Sequence, residues 1–95
     1  MAKKPITREQ TYRDALAISG IDWATVKVAC YSFPEENTVQ IFHLALMIAG
    51  VKFLLFDGVE TSAYILLDKD DNTSPSQIAE VAAELGGKER TPNLS

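Results

Sequence analysis

Four apolar runs, "TVKVACYSF", "VQIFHLALMI", "VKFLLF" and "AYILLD", follow one another between Thr25 and Asp68. "FPEENT", "AG" and "DGVETS" part them. Short apolar runs separated by a few turn-forming residues are the pattern of an antiparallel meander. Read as strands, the runs are apolar on both sides. Phe42, Leu44 and Leu46 point away from Val39, Ile41 and His43, Leu54 and Phe56 away from Phe53 and Leu55, and Tyr64 away from Ala63 and Ile65. A monomeric antiparallel sheet usually keeps one face polar. For the second run a helix over 38–49, ended by Gly50, is the rival, because Leu, Ala and Met favour helix.

Helices are expected on either side of these runs. Thr7 with Gln10 three places on forms a capping box for a helix over about 8–19, with Tyr12, Ala15, Leu16 and Ser19 on one face and Gly20 as its stop. Ser74, Pro75 and Gln77 give a second start signal. Ile78, Val81, Ala82 and Leu85 then form an apolar stripe that ends at Gly86-Gly87. Together these signals predict an α+β domain over 7–87 in the order α-β-β-β-β-α, with a flexible lead at 1–6 and a mobile tail at 88–95.

"SGIDWATVKVAC" (19–30) is ambiguous. Gly20, Ile21, Asp22 and the inward Thr25-Val26 pair make it similar to the turn and second helix of the repressor-type helix-turn-helix, which implies a DNA-binding regulator using residues 12–30. It departs from that motif at Leu16, where a small residue is expected, and at Ser19, where an apolar one is expected. A recognition helix here would offer phosphate only Lys27, and Thr25, Val26 and Val28 favour strand. A strand over 24–33 is the expectation.

Charge argues the same way. Residues 1–27 carry five basic side chains against three acids, but residues 28–87 carry two against nine. Such a body repels a phosphate backbone and attracts basic surfaces. The 19 residues "TVQIFHLALMIAGVKFLLF" have the length of a membrane span. Acidic turns flank them, and Gly50-Val51-Lys52 breaks them, so neither membrane nor nucleic acid is the expected partner.

Catalytic signatures are absent. Cys30 and His43 lie in apolar runs with no orienting partner, and Cys30 cannot form an internal disulfide. "DKDDNTSPSQIAE" begins like a calcium loop at Asp68, Asp70 and Asn72, then fails where Thr73 replaces the turn glycine and Ala79 the bidentate Glu. No cofactor or metal is implied. The sequence therefore predicts a non-enzymatic cytoplasmic interaction protein, an adaptor or inhibitor of the kind carried by phages or plasmids.

Two helices can cover only one face of a four-stranded sheet. The other face, with Phe42, Leu44, Leu46, Leu54, Phe56 and Tyr64, is expected to pair with a second copy or dock on a basic protein surface. The acidic turns Glu35-Glu36 and Asp68-Asp70-Asp71 would form its rim. A helix-turn-helix regulator and a small membrane-associated protein are the alternatives.

Overall fold

The computed structural model describes residues 6–95, so all but the last residue of the expected flexible lead lies outside it. The fold is α+β: a four-stranded antiparallel sheet with helices before and after strands. In chain order the elements are α1 (Arg8–Ile18), a single 3₁₀ turn (Trp23–Thr25), β1 (Val26–Ser32), α2 (Glu36–Ile48), β2 (Leu55–Val59), β3 (Ser62–Asp68), α3 (Ser74–Glu84) and β4 (Lys88–Arg90). The strand order is β2-β3-β1-β4.

Residues 38–49 correct the predicted meander: they form the helix, not the second strand. Val39, Phe42 and Leu46 recur at helical spacing and are buried together. What looked like a hairpin turn at Ala49-Gly50 is a helix ending. Gly50, at φ +71°, donates to the Met47 carbonyl, while the Val51 amide reaches back to Leu46. This is a Schellman motif, in which glycine takes a left-handed conformation that other residues adopt at a cost. Val51 and Leu46 then meet in the core, as the motif favours. The chain runs on without regular structure to Leu55, so only the end of "VKFLLF" is strand.

Residues 88–95 are the second correction. The first three residues of the expected tail form a strand: β4 pairs antiparallel with Cys30–Ser32, and Arg90 Nε donates to Ser32 Oγ at 3.0 Å. Beyond it, the Leu94 carbonyl accepts the Glu9 amide at 3.0 Å, satisfying one of the free N–H groups at the start of α1. The sheet thus has four strands as expected, but the fourth comes from the C-terminal end.

The third correction concerns the exposed sheet face, because both faces are covered from within. Ala63, Ile65, Leu67 and Tyr31 face α2 and α3, where they pack with Phe42, Leu46, Ile78 and Ala82. Cys30, Tyr64 and Leu66 face α1, beneath Tyr12 and Leu16, with Trp23 and Leu94 at the margin. Three helices do what two could not, so the premise for sheet-to-sheet pairing is gone.

Helix starts are partly as expected. Thr7 accepts from the Gln10 amide, but the Gln10 side chain turns to Asp14 and leaves the box half made. At α3 the cap is not Ser74, which is buried inside the helix; Asp71 Oδ1 accepts the Thr73 and Ser74 amides, each at 2.9 Å.

Candidate functional site

The helix-turn-helix has no counterpart in the fold. After α1 and Gly20, Asp22 caps a three-residue 3₁₀ turn, and Val26–Ser32 then runs as the strand that pairs with β3. Alternation won because Val26, Val28 and Cys30 are needed on the α1 side and Ala29 and Tyr31 on the other.

The residues expected at an interface divide sharply. Phe42 and Leu46 are fully buried, Tyr64 is buried and Phe56 is half-buried, so these four serve the core. Leu44 and Leu54 are exposed. Around Leu44 the structure adds residues that an alternating strand would have divided between its two faces: Ile41, Met47 and Ile48 also stand out from α2, Ile48 with 87% of its surface exposed. A helix that buries one side and remains apolar on the other lacks a partner on that side. The hint in the sequence was α2's composition, with no charged residue from Asn37 to Val51.

Beside the C-terminal end of α2 lies an open groove of about 1070 Å³. Met47, Val51, Phe53 and Leu54 line it together with Lys52 and with Asp68, Asp70 and Asp71. These acids are organised by the loop itself. Asp68 Oδ1 accepts the Asp70 amide at 2.9 Å, and Lys27 Nζ donates to the Asp71 carbonyl at 2.6 Å. Glu35 and Glu36 are exposed at the opposite, N-terminal end of α2. The acids therefore form two separate groups at the two ends of one apolar helix face, not one rim.

Hydrogen bonds from the Ser74 side chain, then from the Ser74 and Thr73 amides, hold the Asp71 carboxyl below the usual aspartate value, with Lys27 adding to the effect. A depressed folded-state pKa contributes stability that is complete above the unfolded value, about 3.9, and is lost as pH falls through the folded one. Asp71→Asn keeps an oxygen acceptor for the cap but cannot titrate. Urea midpoints measured from about pH 5 downward should fall less steeply in this variant than in wild type. An unchanged acid limb would show that Asp71 does not couple α3 to pH.

A second polar cluster, not foreseen from the sequence, ties α1 to the sheet. The Tyr12 hydroxyl donates to Asp57 Oδ2 at 2.6 Å, and Arg8 Nη1 lies 3.5 Å from the same oxygen. The Arg8 guanidinium also sits 4.6 Å above the Tyr64 ring, a cation–π contact. Burial, then the bond to Asp57, pushes the Tyr12 hydroxyl far above its ordinary value, so it is a fixed donor and not a base.

Of the two reactive side chains, Cys30 is buried in the sheet and His43 packs among aromatic rings. Burial raises the Cys30 thiol, which disfavours the nucleophilic thiolate. His43 stacks on Phe56, with ring centroids 4.2 Å apart and planes 4° from parallel, and meets Phe53 edge-on. Among the described residues, no three His, Cys, Asp or Glu side chains are grouped to hold a metal ion, and no helix is long and apolar enough to cross a membrane. No family model, curated protein or solved structure matches this chain.

Proposed function

We propose that this chain is a non-catalytic protein-interaction module that engages another protein surface through the outer face of α2 and the adjoining acid-lipped groove. One observation carries the proposal: Ile41, Leu44, Met47 and Ile48 form a continuous exposed stripe on a helix whose other side is already buried. Apolar side chains scattered singly over a surface are ordinary, but four on one helix face are a docking feature. Ile18, on α1, is 89% exposed and stands alone, which makes it a natural control.

A photo-reactive amino acid placed at position 44, and separately at 18, should distinguish the two faces in the cells that make the protein. Position 44 should give discrete adducts, either with a second copy or with another protein, and position 18 should give little. Equal labelling from both positions would mean that the α2 face has no dedicated occupant.

A further inference from the structure

Resting on that reading of the α2 face, we infer that its occupant is a helix of another protein, apolar along one side and carrying lysine or arginine at both ends of that side. The shape of the face calls for a helix. Asn37, Ile41, Leu44 and Ile48 alternate steps of four and three, the seam of one helix packed along another. Ile41, Leu44 and Ile48 are exposed, and Met47 beside them carries the apolar strip into the groove, where Leu54 is exposed as well. Glu36 and Ile48 stand about 18 Å apart along the helix axis, so the strip takes some three turns of a partner.

The charges decide what that helix carries. Glu35 and Glu36 are exposed at the N-terminal end of α2. At its C-terminal end the groove sets Asp68, Asp70 and Asp71 against Lys52, the one basic side chain among the described residues that line it. Lys27 is tied to the Asp71 carbonyl, and Lys69 is exposed but lies outside the lining. From Asn37 to Val51 the chain has no charged residue. The face is thus apolar in the middle and acidic at both ends, and its complement is apolar in the middle and basic at both ends. A second copy, docked in either direction, would oppose carboxylates to carboxylates with only Lys52 to relieve them. An anionic membrane surface would be repelled by the same groups.

Fluorescence anisotropy of dye-labelled synthetic helices, titrated with the purified full chain, tests the inference. The probes are about 16 residues long, enough to span the strip, and share one leucine stripe. They carry lysine pairs at both ends, lysines at one end only, or glutamates at both ends. The doubly basic helix should bind about tenfold more tightly than the singly basic one, and the acidic one should not bind. Glu36→Lys and Asp70→Lys should each weaken the doubly basic helix about threefold or more, by turning an attractive end contact repulsive. Asp70 is chosen because Asp68 and Asp71 accept the amides that shape the loop and cap α3. Ile48→Glu should weaken binding roughly tenfold or more, as loss of an apolar anchor does. Simple attraction between a cationic peptide and an acidic protein would instead be strengthened by that added carboxylate. Circular dichroism confirms that each variant is folded. Affinity that ignores the end charges of the probe, survives both lysine substitutions or rises with Ile48→Glu overturns the inference, as does equal or tighter binding of phosphatidylglycerol vesicles. Adducts from position 44 with any protein would in each of those cases preserve the broader interaction reading; adducts with a second copy alone would also overturn the basic partner.

Discussion

Replacing Phe42 with alanine should cost about 3–5 kcal/mol, the usual penalty for emptying a buried aromatic site. Phe42 has no exposed surface, and its ring lies 4.9 Å from Phe33, 6.0 Å from Tyr31 and 5.9 Å from Phe56 between centroids. Those neighbours come from β1, the segment after it and β2, so the cavity would loosen the contact of α2 with the sheet. A domain is stable by only about 5–15 kcal/mol, so the variant should be marginal at room temperature. Leu44→Ala, two residues away and 58% exposed, should change stability by no more than about 0.5 kcal/mol. Urea denaturation of the two variants also decides the local structure. In a strand, positions 42 and 44 share a face and should respond alike; in a helix they face apart and should differ. Similar losses at both positions would contradict a helix at Glu36–Ile48.

That contrast explains where the sequence was legible. The α+β class, the antiparallel sheet, α1, α3 and the choice of strand for Val26–Ser32 follow from caps, periodicity and β-branched residues; the count of four strands agrees only because β4 stands in for the run that became α2. The run at 38–49 did not resolve because it is apolar on every side. When almost every position is hydrophobic, alternation and helical periodicity fit equally well, and only tertiary burial separates Phe42 from Leu44. Ala49-Gly50 is ambiguous for a related reason: glycine ends a helix as readily as it turns a hairpin, and the Schellman bonds that decide the matter exist only once Leu46 and Met47 are helical. Misplacing one helix then propagated. Two helices leave one sheet face bare and put the apolar surface on the sheet; with α2 as a third helix, that surface is the outside of α2. Leu44 and Leu54 are exposed in the folded chain, and Asp68, Asp70 and Asp71 line a groove beside that surface. β4 was missed because "KERTPNLS" is polar, and its pairing depends on an edge of β1 that only the folded sheet presents.

Gly87→Ala should destabilise the protein by about 1–3 kcal/mol, through crowding and not through backbone conformation. The sequence offers Gly86-Gly87 as one helix stop, but the two glycines do different work. Gly86 has φ +76° and open space around it, so alanine there incurs only the left-handed penalty of about 1–2 kcal/mol. Gly87 has no such conformation. A Cβ at position 87 would lie 2.5 Å and 2.9 Å from carbons of the Phe33 ring and 3.0 Å from the Ala82 carbonyl oxygen. That oxygen accepts the Gly87 amide at 2.8 Å in the motif closing α3, so the backbone cannot retreat without losing the bond. The ring cannot easily retreat either, because Phe33 is buried against Phe42. Relief must therefore come from shrinking the ring. Phe33→Leu alone should destabilise, but combined with Gly87→Ala its cost should be smaller than the sum of the two, with a coupling of about 0.5–3 kcal/mol in chemical denaturation. Additive losses would place the origin of the Gly87 effect outside the Phe33 contact. Strong coupling would show that the end of β1, α3 and the approach to β4 meet at one point just past Ser32, with glycine required there because the aromatic ring occupies the space of a side chain.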